Sequence, residues 1–173
     1  VPNKFPTLDG DHPRMVIPFR DSNGDIFAYQ GRAFGKEKPK YITIILDESV
    51  PKIFGLDRVD PSRDIFVVEG PIDSLFIQNC IAVAQSDLRV PQYKDKAILV
   101  PDNEPRNKQI IQQLERAIDD NYRVVIWPDY VRQKDINDMI LSGLDAVEIM
   151  DIISNNTFQG LSAKVELQKW KRT

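Results

Sequence analysis

From Asp64 onward, the sequence alternates between short apolar runs and longer segments in which apolar residues recur at helical spacing. The apolar runs are residues 65–69, 81–85, 97–101 and 123–127. This alternation is typical of an α/β fold, in which helices flank a mostly parallel sheet. The helix predicted from Pro105 has an apolar face made of Ile110, Ile111, Leu114, Ala117 and Ile118.

The residues before Asp64 follow a different pattern. Two β-prone runs within residues 14–34 flank Ser22-Asn23-Gly24, and Asn-Gly between such runs predicts a tight antiparallel hairpin. Residues 40–46 predict a further strand. The proline-rich start, residues 1–13, is expected to be an extended arm. We therefore expect a small antiparallel β-rich lobe to precede the α/β domain.

Three segments follow from these patterns. Residues 1–60 are expected to form the β-rich lobe with its arm, residues 61–155 the α/β domain, and residues 156–173 a basic C-terminal helix or tail. A chain of 173 residues that is 42% hydrophobic is long enough to bury a real core.

Composition excludes several classes of protein. The formal net charge of −3 argues against a protein that coats nucleic acid by charge alone, so any such contact must be local. Cys80 and His12 are the only residues of their types, which excludes a disulfide framework and a Cys/His zinc site. No apolar run approaches the roughly 20 residues that span a bilayer, so we expect no membrane contact and a cytoplasmic location.

Acidic residues follow three of the apolar runs. Glu69 and Asp73 come after the first, Asp102 and Glu104 after the third, and Asp135 follows the fourth after a loop that also contains Asp129. In open α/β sheets, ligands bind at the carboxyl ends of the strands. Converging carboxylates suit Mg²⁺ or Mn²⁺ and phosphoryl transfer. The alternative for each single acid is a helix cap.

The N-terminal stretch is locally basic. Its cations are Arg14, Arg20, Arg32, Lys36, Lys38 and Lys40, which suit a DNA backbone or, alternatively, a solvated hairpin face. Phe27, Tyr29 and Phe34 either stack on bases or pack on the core. Trp170, in the basic C-terminal segment, either contacts a partner or packs a terminal helix.

Specific sequence motifs resemble a known family. VVEGPID, LVPDNEP and KDINDMI resemble the three acidic motifs of the TOPRIM domain, which primases, topoisomerases and some nucleases share. RMVIPFRDSNGDIFAYQGRAF followed by PKYITI is similar to the segment that precedes TOPRIM in DnaG-type DNA primases. The resemblance extends to the primases of T-even bacteriophages through VEGPIDSLFIQN, DNEPRN and NNTFQGLSAKVELQKW.

The resemblance implies a DNA primase catalytic core, which synthesises short RNA primers on single-stranded DNA from ribonucleoside triphosphates. It assigns catalysis to Glu69, Asp73, Asp102, Glu104, Arg32 and Lys40. The implied ligands of two Mg²⁺ or Mn²⁺ ions are Glu69, Asp102, Glu104 and Asp135, with Asn137 or Asp138 nearby. The implied contacts to nucleotide or template phosphates are Arg14, Arg32, Lys40 and Lys134.

Two departures from the family pattern matter. The second motif has Glu104 where many TOPRIM proteins have aspartate, so we expect this longer side chain to hold its ion through water. No cysteine-rich zinc module is present in the sequence. The resemblance therefore implies a fragment or one half of a split primase, with a zinc-binding primase domain and a replicative helicase as partners.

Two other functions remain open. A TOPRIM nuclease would use the same acids to hydrolyse DNA with water as the nucleophile, although the primase-like N-terminal segment argues against it. Glu69 in the proposed mechanism either holds a metal ion or acts as a general base, and the sequence does not separate these roles. A non-catalytic replisome module would use the fold only to bind DNA or helicase, which leaves mutually repelling carboxylates unexplained. A topoisomerase would need strand-passing domains that do not fit in 173 residues.

Overall fold

The computed structural model of the chain describes residues 12–36, 38–84 and 87–172. The chain forms two compact units that divide between Asp57 and Arg58. The predicted extended arm lies outside the described residues, except for its last two positions. Among the described helices, none is both long and apolar enough to cross a membrane.

The first unit is a three-stranded antiparallel sheet in the order β1-β2-β3. Its strands are β1 (Arg14–Arg20), β2 (Ile26–Ala33) and β3 (Tyr41–Ile45). Gly24 adopts a φ of 89° in the β1–β2 turn, a conformation that glycine adopts without steric cost. The antiparallel hairpin predicted over residues 14–34 is confirmed.

Aromatic residues form the core of the first unit. The Phe19 ring meets Phe27 and Phe54 edge to face, with ring centroids 6.1 and 5.4 Å apart. Phe27 is buried, whereas Phe34 is 75% exposed. The core interpretation is therefore right for Phe27, and Phe34 stays available to solvent.

The second unit is built on a five-stranded sheet in the order β5-β4-β6-β7-β8. Its strands are β4 (Ile65–Val68), β5 (Cys80–Ala82), β6 (Ala97–Leu99), β7 (Arg123–Val125) and β8 (Thr157–Phe158). The first four are parallel, and β8 pairs antiparallel with β7. The predicted mostly parallel sheet, flanked by helices, is confirmed.

Four α-helices complete the second unit: α1 (Lys108–Asp119), α2 (Ile136–Leu141), α3 (Ala146–Asn155) and α4 (Gly160–Trp170). All five apolar residues predicted for the inner face of α1 are buried. The Asn107 side chain caps α1 by accepting from two backbone N–H groups of its first turn. Trp170, at the end of α4, is buried, so the packed-helix interpretation of this residue is right.

Pro71 and the residues that follow it, PIDSLFIQN, predict a short helix after β4, but the helical part is shorter than this pattern predicts. Only Asp73–Leu75 is helical, as a single 3-10 turn. The Ser74 hydroxyl donates to the Pro71 carbonyl and accepts from Arg58, and Asn79 has a φ of 49°. The two hydrogen bonds of Ser74 hold the segment as a compact turn, which keeps Asp73 close to the end of β4.

Candidate active site

The strand order brings the predicted acids to one edge of the second unit. β4 lies beside β6, and β6 lies beside β7. Because these strands are parallel, the residues that follow each of them share the carboxyl edge of the sheet. Glu69 follows β4, the Asp102–Glu104 segment follows β6, and Asp135 begins α2 after β7.

Glu69 is the most strongly perturbed of these acids. Burial, followed by repulsion from Asp102, Glu104 and Asp73, raises its pKa to about 7, against the opposing effect of Lys134. A carboxylate that is hard to ionise beside other carboxylates is typical of functional sites, where a cation relieves the repulsion.

Asp73 has a second strongly raised pKa, at about 6. Burial is the main cause, and Asp135 and Asp102 add repulsion. The backbone N–H of Asn137 donates to Asp73 Oδ1 at 2.9 Å, which partly offsets the shift. This bond joins the turn after β4 to the first residues of α2.

Gly70 makes room for the Asp73 carboxylate. A Cβ atom built on Gly70 would lie 2.5 Å from Asp73 Oδ2, well inside van der Waals contact. We expect Gly70→Ala to displace this carboxylate and lower the free energy of unfolding by about 1–3 kcal/mol. Urea unfolding measures the loss. In Gly70→Ala/Asp73→Ala the clash is gone, so the two effects should not add; full additivity would show that the clash is not the cause.

Asp102 and Glu104 share one cation. Lys134 Nζ lies 3.4 Å from Asp102 Oδ2 and 3.4 Å from Glu104 Oε1. Burial lowers the pKa of Lys134, but the two carboxylates outweigh it and the pKa rises. The backbone between the two acids is not fully extended, because the Glu104 N–H donates to the Asp102 carbonyl in a tight turn.

Asp135 combines the two interpretations that the sequence left open. Its carboxylate caps α2 by accepting from the Asp138 N–H at 2.8 Å, and its charge also raises the pKa of Asp73 and of Asp102. Asp138 is exposed. The Asp129 carboxylate accepts from the Arg172 guanidinium at 3.0 Å, and its side chain is 83% exposed.

The acidic side chains at this edge offer carboxylate oxygens, which suit a hard divalent cation. Within residues 12–36, 38–84 and 87–172, no three Asp, Glu, His or Cys side chains are gathered closely enough to enclose a metal ion. Mg²⁺ usually takes one or two carboxylates and completes its coordination with water and substrate phosphates. The donor set fits that manner of binding, with Lys134 at the position of the counter-charge.

Comparison with known proteins gives a consistent result. The chain is 44% identical over 165 residues to the DNA primase of Enterobacteria phage T4, which covers 92% of the chain and 48% of that primase. The DNA primase of Thermotoga maritima is 27% identical over 138 residues, covering 69% of the chain and 24% of that protein. The chain is a relative of the DNA primases. It spans about half the length of the T4 relative.

Solved structures show the same fold. A DNA primase domain from Pseudomonas aeruginosa superposes with a TM-score of 0.66 at 21% identity, over 91% of this chain and 55% of that one. The zinc-binding and RNA polymerase domains of the Aquifex aeolicus primase give 0.64 at 20% identity, over 89% and 44%. No family model matches the sequence. The two superpositions confirm the fold that the resemblance implies.

Three of the four basic residues to which the primase resemblance assigns phosphate contacts lie in the first unit, and the fourth, Lys134, lies in the second. The Arg14 guanidinium donates to the Pro39 carbonyl at 2.8 Å. The Arg32 guanidinium and the Lys40 ammonium lie 5.9 and 5.5 Å from the centre of the Tyr41 ring, within reach of a cation–π contact. Arg32 pairs with Tyr41 in the register of β2 and β3, so these three side chains form one cluster.

The sequence patterns assign no role to two asparagines that lie at the acidic edge, Asn103 and Asn107. Asn107 Nδ2 donates to Glu104 Oε2 at 3.0 Å while its side-chain oxygen caps α1. The Asn103 side chain connects the segment after β6 to the loop before α2 and to Trp170 at the end of α4. The available signal was their position, since Asn103 stands between the two acids of the primase-like motif and Asn107 begins a helix directly after it.

The raised pKa values predict how stability depends on pH without divalent ions. The pKa of Glu69 rises from 4.5 to about 7 on folding, and that of Asp73 rises from 3.8 to about 6. At a pH between the ordinary and the raised pKa, the folded chain therefore binds more protons than the unfolded chain. The stability from Glu69 and Asp73 is therefore complete at low pH and is lost as pH rises to about 7. Carboxyl groups with lowered pKa values, such as Asp64, change the free energy of unfolding only at lower pH, below this range.

Urea unfolding in EDTA from pH 4.5 to 7.5 tests this expectation. We expect the free energy of unfolding to fall over this range, and to fall less in Glu69→Gln, which cannot ionise at that position. An equal fall in both proteins would mean that Glu69 does not titrate as its surroundings predict.

Proposed function

We propose that this chain is a primase core that joins ribonucleotides into short RNA on a single-stranded DNA template. The observation that carries the proposal is the meeting of three acidic segments at the carboxyl ends of neighbouring parallel strands. It is supported by the 44% identity to a protein named DNA primase.

The acids are proposed to hold Mg²⁺ or Mn²⁺, with two ions in the working state. Glu69, Asp102, Glu104 and Asp135 are the proposed ligands, and Asp73 is proposed to support them from the turn after β4. When bound, such ions supply Lewis-acid chemistry, by activating the attacking 3′-hydroxyl and neutralising the leaving pyrophosphate. Glu69 is proposed as a ligand, because burial and repulsion, which raise its pKa, favour a neighbouring cation.

Four basic side chains are proposed to bind phosphates. Arg32 and Lys40, which share the Tyr41 ring, are proposed to contact the nucleotide or template backbone, and Arg14 to contact it nearby. Lys134 is proposed to pass from its carboxylate partners to a phosphate of the incoming nucleotide. A DnaG primase catalytic domain bound to single-stranded DNA has the same fold, with a TM-score of 0.62 at 18% identity.

Residues 1–60, 61–155 and 156–173 are proposed as the lobe that binds nucleic acid, the catalytic TOPRIM domain and a basic C-terminal segment. A zinc-binding primase domain and a replicative helicase are the proposed partners of this core. The solved Aquifex primase contains both zinc-binding and RNA polymerase domains, which supports the first partner.

Incorporation of labelled ribonucleotides on single-stranded DNA with Mg²⁺ or Mn²⁺ tests the function. We expect short labelled RNA whose sequence complements the template. Cleavage of the DNA without RNA synthesis would instead identify a TOPRIM nuclease. DNA binding with neither reaction, even after a zinc-binding primase domain is added, would leave only a binding module.

A further inference from the structure

The segment that carries Asp102 and Glu104 is tied down at every alternate residue. Trp127 Nε1 donates to the Pro101 carbonyl at 2.7 Å, and Trp170 Nε1 donates to Asn103 Oδ1 at 3.1 Å. The Arg172 N–H donates to the Pro105 carbonyl at 2.8 Å. Both tryptophans of the sequence thus donate their indole N–H to this one segment.

Asn103 is the centre of these contacts. Its Nδ2 donates to the carbonyls of Val131 and Gln133 at 3.0 and 3.1 Å, and its backbone N–H donates to the Lys134 carbonyl at 2.6 Å. The side chain therefore uses both donors and an acceptor at once. It joins the segment after β6 to the loop before α2, and to a residue 67 positions away at the end of α4.

Alternate residues of the segment from Pro101 to Pro105 make different kinds of contact. The bonds from the two tryptophans and Arg172 go to residues 101, 103 and 105, while the carboxylates of Asp102 and Glu104 both lie near Lys134. The loop that Asn103 holds is the one that leads into Lys134 and Asp135. The side-chain amide of Asn103 thus adds two hydrogen bonds to those that set the distance between the acids of the second and third motifs.

We infer that Asn103 is a positioning residue, whose amide, held by Trp170, fixes the Asp102–Glu104 segment against the loop that carries Lys134 and Asp135. The inference rests on the proposed function, since positioning matters only if these acids bind a cation. It makes α4 a support of the active site. Residues that orient metal ligands typically change metal affinity by about 10- to 100-fold when they are lost.

Direct Mn²⁺ binding to the purified chain, followed by electron paramagnetic resonance, tests this role without relying on catalysis. We expect Asn103→Ala to raise the Mn²⁺ dissociation constant about tenfold or more. Trp170→Phe, which removes one N–H and retains an aromatic ring, should raise it by a smaller factor. The half-saturating Mn²⁺ concentration for RNA synthesis should rise in parallel.

Asn79→Gly is the matched control. Asn79 Nδ2 also donates to two backbone carbonyls, of Asp60 and Asp64, but it lies before β5, at the opposite edge of the sheet. Its φ of 49° suits glycine, so the exchange removes the amide without backbone strain. This variant should lose stability and keep the Mn²⁺ affinity of the unaltered chain.

The outcomes separate the inference from the proposed function. No Mn²⁺ binding by the unaltered chain would overturn both. Binding that is equal in the unaltered chain, Asn103→Ala and Asn79→Gly would overturn the positioning role alone. Weaker binding in Asn103→Ala and Trp170→Phe, with normal binding in the control, would establish it.

Discussion

The Glu69→Gln/Asp102→Asn double variant is expected to lose RNA synthesis by about 1,000-fold or more while unfolding at a higher temperature than the unaltered chain. Activity should fall because neutral amides cannot hold the proposed cations, which contribute several kcal/mol to the transition state. Stability should rise because both carboxylates have pKa values raised by burial and repulsion. Synthesis assays and thermal unfolding in EDTA at pH 7.5 measure the two effects.

Glu166→Gln/Asp151→Asn is the control for that variant. It makes the same change in charge at helical positions outside the acidic edge, where Asp151 is exposed and Glu166 pairs with Lys169. Exposed ion pairs contribute little to stability, so activity and melting temperature should both stay close to those of the unaltered chain. A double variant at the acidic edge that still makes RNA would contradict the proposed site.

Arg32→Ala is expected to lower RNA synthesis by about 100-fold, the usual effect of removing one donor that stabilises developing charge. The guanidinium of Arg32 lies beside Tyr41 with Lys40 on the same ring, so its loss removes a cation from a cluster proposed to bind phosphate. The chain should also bind single-stranded DNA less tightly, with a log–log salt dependence that is shallower by about 0.7.

Arg20→Ala provides the comparison within the same unit. Arg20 ends β1, where its guanidinium donates to the Gly24 carbonyl of the hairpin turn, at the opposite end of the sheet from Arg32. Its replacement should leave both synthesis and the salt dependence nearly unchanged. Equal losses in the two variants would mean that the first unit binds DNA by its general charge and not through the Arg32 cluster.

Much of the fold follows from the sequence, because the controlling patterns are local. The spacing of Ile110, Leu114 and Ile118 gives the buried face of α1, and Asn23-Gly24 gives the β1–β2 turn. β8 was not predicted, since two residues carry no periodicity and their pairing with β7 depends on the path of the chain. The local pattern after Pro71 predicts a helix, whereas the structure has a short turn. The bond between Ser74 and Arg58, which helps to hold this turn, joins residues 16 positions apart and leaves no mark on the local pattern.

The sequence likewise predicts some features of the candidate site and not others. The positions of Glu69 and Asp102 after apolar strands predict a common edge, because parallel strands present their carboxyl ends together. The sequence does not reveal that Lys134 contacts both Asp102 and Glu104, or that Trp170 bonds to Asn103. Those contacts join residues 30 to 67 positions apart, and only the packing of α2 and α4 brings them together.

Anomalous diffraction at the manganese edge, from crystals of this chain soaked with Mn²⁺ and a ribonucleoside triphosphate, tests the central claim most directly. We predict Mn²⁺ peaks beside Glu69, Asp102, Glu104 and Asp135, with the triphosphate joined to them and Lys134 moved toward a phosphate. Mn²⁺ bound elsewhere, with Lys134 still between Asp102 and Glu104, would contradict the account.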